Sequence, residues 1–171
     1  MATQEQQLFI ELQAQLITPE AFEPFGQLIG PSHDGKEFDQ EDAQLVLDRG
    51  TPRFYIMRLP KRGLCFSRIT YHASVTQCLG GLNPGQPWYM VVAAPSGSVA
   101  SYPQQQQLVA FKVPHGVFIK LKEGTWHAGP LFDEAEHMDF YNLELSDTNV
   151  VDHNTHDYAS ANALTYRVLE C

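Results

Sequence analysis

The sequence predicts an all-β fold, whether sandwich, jelly roll or barrel, with one short helical turn near its start. Three observations predict it. Short runs rich in β-branched and aromatic residues recur along most of the chain, clusters of Pro, Gly, Asn or Asp separate them, and hardly any stretch has a helical period.

After a polar opening, residues 17–26 (ITPEAFEPFG) read as a single helical turn, with Thr18 as N-cap, Pro19 at the first helical position and Gly26 beyond the end. Pro24 keeps the turn short. Residues 31–49 are polar and acidic and read as a loop, whose second half (AQLVLDR) can continue as a strand. From Arg53 onward the strand-like runs are RFYIMRL, CFSRITYH, TQCLGG, WYMVVAAP, LVAFKV, GVFIKLKEGTWH, MDFYNLEL and ALTYRVLE. Gln104–Gln107 reads as an exposed loop leading into LVAFKV. The stretch NVVDHNTHDYASANA, with two His and two Asp in six residues, precedes a last strand that can return to the sheet. No internal repeat is present. At 171 residues the chain fits one domain, residues 1–171, with residues 1–50 expected as an N-terminal extension packing on the barrel.

Eleven Lys and Arg against twenty Asp and Glu give a net charge of −9, which repels phosphate backbones and anionic lipid at long range. Neither nucleic acid nor a membrane is therefore an expected partner. A small anionic substrate stays open, because a cation inside a cavity outweighs surface charge that salt screens within about 8–10 Å. The cysteines Cys65, Cys78 and Cys171 have no metal-type spacing, and their odd number argues for reduced thiols. The opening MATQEQQLFIELQAQ lacks the basic patch and apolar core of a signal peptide, so the expected location is the cytoplasm.

Two constellations carry chemistry. In the first, Thr70 to Gln77 with Gly85 beyond, strand alternation and a turn let His72 and Gln77 converge inside a barrel. The second runs from Gly116 to His127. They resemble the two cupin motifs. In the first motif Thr70 stands where one His is usual, His72 matches the second His, and Gln77 replaces a Glu. In the second, Lys122 replaces a Pro, His127 matches the His, and Leu131 stands where the motif has Asn. The resemblance implies a cupin-type double-stranded β-helix, a jelly-roll barrel, with a small-molecule site around His72, Gln77 and His127. Cupins commonly hold a metal on three His and one Glu. Here His72, Gln77 and His127 are the candidate ligands for a divalent metal ion. With two His and a Gln remaining, an occupied and a weakened metal site both stay open, and the cofactor is unassigned.

A wider resemblance covers most of the chain. ITPEAFEPFGQLIG, ITYHASVTQCLGG, VVAAP, GVFIKLKEGTWHAGPLF and MDFYNLELSDTNVVDH are similar to the ureidoglycolate lyase family, also called ureidoglycolate hydrolase. The strongest local matches are His72 with Gln77, and Trp126-His127 followed by Pro130-Leu131. This implies an amidine-lyase type carbon–nitrogen cleavage of ureidoglycolate to glyoxylate and urea in purine (allantoin) degradation, by a homodimer. Such a site needs a base near the substrate hydroxyl, an acid near the leaving nitrogen and a cation for the carboxylate. His127 is the candidate base or ligand, Lys120 the cation if it points inward, and Gln77 and His72 substrate contacts. Alternation places Asn142 and Glu144 on one strand face and Tyr141 on the other, making Asn142 a binding residue and Glu144 an acid/base candidate. Tyr55, Trp88 and Tyr89 are candidate pocket aromatics.

Each has a plainer reading: Lys120 and Glu144 as outer-face charges, the aromatics as core, and Asp152, His153, His156 and Asp157 as a solvated acidic turn. Two other functions compete, a metal-dependent cupin enzyme such as an isomerase or dioxygenase acting on another small acid, and a non-catalytic binding module.

Overall fold

The computed structural model describes residues 8–171; readings of the chain's opening that fall on residues 1–7 lie outside the described residues. In chain order the elements are β1 (Leu8–Leu16), α1 (Pro19–Phe22), β2 (Gly26–Ile29), β3 (Pro52–Pro60), β4 (Cys65–Phe66), β5 (Arg68–Tyr71), β6 (Gln77–Gly81) and β7 (Trp88–Ala93). There follow β8 (Val109–Val113), β9 (Phe118–Leu121), β10 (Trp126–Leu131), β11 (His137–Leu145), α2 (Thr148–Val151), β12 (Asn154–Asp157), α3 (Tyr158–Asn162) and β13 (Leu164–Leu169). The fold is all-β, as the strand-rich pattern requires. Among the described residues no helix is long and apolar enough to cross a membrane.

An eight-stranded sheet runs β12-β5-β10-β7-β8-β1-β13-β4, and a five-stranded sheet runs β2-β9-β6-β11-β3. They face one another across a core built by alternation. Trp88, Met90 and Val92 of β7 and Phe111 and Val113 of β8 meet Leu79, Ile119, Leu121, Met138 and Phe140 of the smaller sheet. Phe22 of α1 packs its ring edge against Phe111 and closes one end. Thr18 Oγ1 accepts from the Ala21 backbone N–H at 3.2 Å, the cap expected for a turn opening Thr-Pro. The opposite face of the larger sheet buries Ile69, Tyr71, Tyr89, Val91, Trp126 and Ala128 against Phe66, Tyr158 and Tyr166. This second core forms because β13 and β4 close over that face.

The first 50 residues, expected as an extension on the barrel, supply strands to both sheets. β1 lies between β8 and β13 and runs parallel to each, with Leu8–Gln13 beside Leu164–Leu169 and Ala14–Leu16 beside Ala110–Lys112. Ile10, Leu12 and Ala14 alternate with polar neighbours there. The AQLVLDR stretch forms no strand. The acidic stretch before β13 is less of a free loop than its composition suggests. It carries α2 and then β12, which pairs antiparallel with β5.

Candidate active site

The two sheets diverge where β5 and β10 face β3, β6 and β11, leaving a cavity of about 420 Å³. Strand alternation decides what lines it. Along β5 and just beyond, Arg68, Thr70 and His72 turn inward while Ile69 and Tyr71 enter the second core. His127 of β10 pairs directly opposite Thr70. The smaller sheet contributes Gln77 and Leu79 from β6, Asn142 and Glu144 from β11, and Tyr55 and Met57 from β3. Arg62, Asn149 and His153 complete the rim.

The two imidazoles stand with ring centroids 5.1 Å apart. His72 Nδ1 lies 2.6 Å from the Asp152 carbonyl oxygen, and His127 Nδ1 lies 3.2 Å from that of Thr125. A carbonyl only accepts, so each Nδ1 carries the proton and each Nε2 is left as an acceptor. Burial pushes the pKa of both below the ordinary histidine value. His127 falls to about 3, with the neighbouring His72 adding to the effect of burial. For His72 burial is the largest cause, opposed by its bond to the Asp152 carbonyl and by the charges of Asp152 and Glu144. At neutral pH both rings are uncharged.

Gln77 is held by its amide nitrogen. Nε2 donates to Asn142 Oδ1 at 3.0 Å and to Glu144 Oε2 at 3.2 Å, and Asn142 Nδ2 donates to the Tyr55 hydroxyl at 3.0 Å. Asn149 Nδ2 reaches Glu144 Oε1 at 3.4 Å. Because a carboxylate needs a donor, the Gln77 amide has one orientation, and among the described residues its Oε1 is buried without a partner. Such an atom costs about 1–3 kcal/mol unless a ligand supplies a donor.

The family model described as ureidoglycolate lyase matches residues 9–165. The chain belongs to the ureidoglycolate lyase family. No curated protein sequence matches it. Among solved structures it is similar to RmlC from Streptococcus suis, solved with dTDP-D-xylose, at 10% identity over 56% of this chain and 44% of that one, TM-score 0.35. It is also similar to vicilin from Corylus avellana (hazelnut), at 12% identity over 67% of this chain and 34% of that one, TM-score 0.37. The chain thus spans less than half the length of either.

Within this ureidoglycolate lyase family member the cavity gathers His72, Gln77, His127, Asn142 and Glu144, but not Lys120 or Tyr89. Lys120 pairs with Cys78 on the strands that carry Ile119 and Leu79 into the core, so alternation sends it to the other face of the smaller sheet. It is buried there, and burial lowers its pKa. Tyr89 sits between Trp88 and Met90 on β7 and points into the second core, its hydroxyl 3.3 Å from Glu170 Oε1. Trp88 belongs to the inter-sheet core, whereas Tyr55 does line the cavity.

The cations of the cavity are Arg62 and Arg68. Arg68 was legible in the period-2 series Arg68, Thr70, His72; Arg62, on the connection from β3 to β4, had no periodic signal. Arg68 Nε is anchored by Asp157 Oδ2 at 2.9 Å.

As metal ligands, His72 and His127 present free Nε2 atoms with Nδ1 tied to carbonyls, and Gln77 offers its unpartnered oxygen. Thr70, at the place of the usual first His, shares a 2.7 Å hydrogen bond with Thr155 instead. Among the described residues no group of three or more His, Cys, Asp and Glu is arranged to hold a metal. Two imidazoles and one amide oxygen do not amount to the usual three His and one Glu.

Proposed function

We propose that the protein is a ureidoglycolate lyase, cleaving ureidoglycolate to glyoxylate and urea in purine (allantoin) degradation. The observation that carries this reading, beside family membership, is that one cavity joins Arg62 and Arg68, two neutral imidazoles and the unpartnered Gln77 oxygen. These match the substrate's parts. The guanidinium groups take the carboxylate, Gln77 Oε1 accepts from a ureido N–H, and an imidazole Nε2 faces the hydroxyl.

The reaction is the collapse of a carbon bearing both a hydroxyl and a urea nitrogen. A base removes the hydroxyl proton, the C–O bond becomes the aldehyde C=O, the C–N bond breaks, and the departing nitrogen takes up a proton. One imidazole serves both transfers. The base expected at His127 is better placed at His72: a ring pushed to about 3 accepts a proton poorly, whereas Asp152 and Glu144 both favour the His72 imidazolium. His127 then stays neutral, with its Nε2 an acceptor for a second ureido N–H, while Glu144 fixes Gln77 and stabilises the transient cation on His72.

Product stoichiometry tests the reading. With racemic ureidoglycolate, glyoxylate and urea should appear one to one above the spontaneous rate. Release of ammonia in place of urea would assign a hydrolase instead. The free Nε2 atoms give some support to a metal-dependent relative, which predicts loss of turnover in chelator and its return with divalent metal.

We further propose that residues 1–171 form one domain, acting in the cytoplasm as a homodimer. Phe54, Phe118 and Tyr141 give the smaller sheet an apolar outer face beside the free edge of β3, and Cys65, Cys78 and Cys171 are unpaired thiols. Sedimentation velocity at micromolar concentration should give twice the chain mass.

A further inference from the structure

Besides its charge, Asp152 offers the site a mechanical buttress. Residues 148–157 arrive beside His72 through α2 and β12, and Asp152 sits at the junction between them. Its Oδ1 accepts from the Ala73 backbone N–H at 2.7 Å and its Oδ2 from the Ser74 N–H at 2.8 Å. Oδ1 also receives Asn154 Nδ2 at 3.0 Å, and the Asp152 backbone N–H is tied to Thr148 O at 3.0 Å. The same residue's carbonyl oxygen takes the His72 Nδ1 proton at 2.6 Å. One residue thus grips the two peptides that follow His72 and the imidazole itself.

We propose that Asp152 is the positioning residue for His72: by holding the Ala73 and Ser74 N–H groups it seats the imidazole against its own carbonyl, with the proton on Nδ1 and Nε2 turned to the cavity. The consequence for catalysis rests on the lyase reading; the consequence for the tautomer does not. Two carboxylate oxygens on two adjacent backbone N–H groups fix the turn rigidly, because charge-assisted bonds are shorter and stronger than neutral ones. Without them the turn at residues 73–74 loses its anchor, the ring is free to leave the carbonyl, and the neutral imidazole can move its proton to Nε2, which abolishes the base. The acidic composition of the DHNTHD stretch does not reveal this, since the contact spans 78–80 residues of sequence.

The test is the tautomer of His72, read by long-range ¹H–¹⁵N correlation in the full chain at neutral pH. Its resonances are assigned by their loss in His72→Gln. The wild type should show a protonated-type Nδ1 and an unprotonated-type Nε2. In Asp152→Ala the two shifts should move toward each other as the tautomers mix, and in Asp152→Asn, which keeps one acceptor, the change should be smaller. Asp152→Asn also serves as the readable variant if Asp152→Ala does not fold. Where ureidoglycolate is turned over, kcat in Asp152→Ala should fall by about 10²-fold with KM nearly unchanged, as expected for a misplaced catalytic group. An unchanged His72 tautomer in both variants would overturn the proposal, even if kcat fell. A shifted tautomer in a protein that does not cleave ureidoglycolate would uphold the positioning role and reject only the substrate.

Discussion

Gln77 Nε2 and Glu144 Oε2 stand 3.2 Å apart on the neighbouring strands β6 and β11, and this one contact fixes which way the Gln77 carbonyl points. The carboxylate accepts only, so the amide nitrogen must face it, and Oε1 is left as an acceptor for the ligand.

Gln77→Glu therefore restores the motif's residue type but not a working site. It puts a second carboxylate beside Glu144 and Asn142 Oδ1, where a donor stood. Like charges at this distance cannot both ionise cheaply. Turnover should fall by roughly 10²-fold, the scale of one lost preorganised contact. Gln77→Leu leaves the Glu144 carboxylate and Asn142 short of a donor and should cost about 1–3 kcal/mol of stability by denaturant titration.

Arg68 is the cavity cation with a fixed anchor. Asp157→Asn should raise KM for ureidoglycolate several-fold with little effect on kcat, because Arg68 loses its partner and not its charge. Arg68→Gln should raise KM more. The pH dependence has a definite sign. Asp157 is held below the ordinary carboxylate pKa first by the Ser160 backbone N–H and then by Arg68. A carboxyl with a depressed folded pKa stabilises the fold above the unfolded value of about 3.9 and loses that contribution as pH falls through the folded value. Arg68 is exposed and Asp157 half-buried, so solvent screening keeps the pair's share below about 1 kcal/mol. Thermal melts from pH 6 to pH 2.5 should show a smaller acid-side decline in Asp157→Asn than in wild type.

The path from His127 into the rest of β10 passes through a register shift between Ala128 and Leu131. Gly129 makes it with φ +126°, and an added Cβ would stand 2.8 Å from the Tyr89 carbonyl oxygen. Gly129→Ala combines backbone strain of about 1–3 kcal/mol with that clash. Its melting temperature should drop by several degrees, and turnover should fall beyond what the lost stability explains, since the irregularity sets the strand next to His127.

Most strands were legible because each of β3, β7, β8 and β11 is a run of β-branched and aromatic residues bounded by turn formers. Asn142 and Glu144 were legible for the same reason, alternation along β11. β1 was not, because Gln13 and Gln15 dilute an alternation whose inward members are few, with Leu12 and Ala14 buried and Ile10 only partly so. Lys120 shows the opposite limit. It looks like the needed cation by charge, but its direction depends on which of two alternate faces meets the cavity, and that is set by pairing with Cys78. Asp152 escaped because its work is done on a backbone far away in sequence, and composition carries no record of such a contact. Arg62 escaped because a connection between strands has no period.

Cleavage of ureidoglycolate in this cavity depends on its two imidazoles if the proposed chemistry holds. The most direct measurement follows glyoxylate from racemic ureidoglycolate with the wild type and with His72→Ala and His127→Ala side by side. The wild type should accelerate the reaction above the spontaneous rate, His72→Ala should lose about 10²–10⁴-fold as for a general base, and His127→Ala should lose less. No acceleration by the wild type, or a His72→Ala protein as fast as the wild type, would contradict the proposed chemistry.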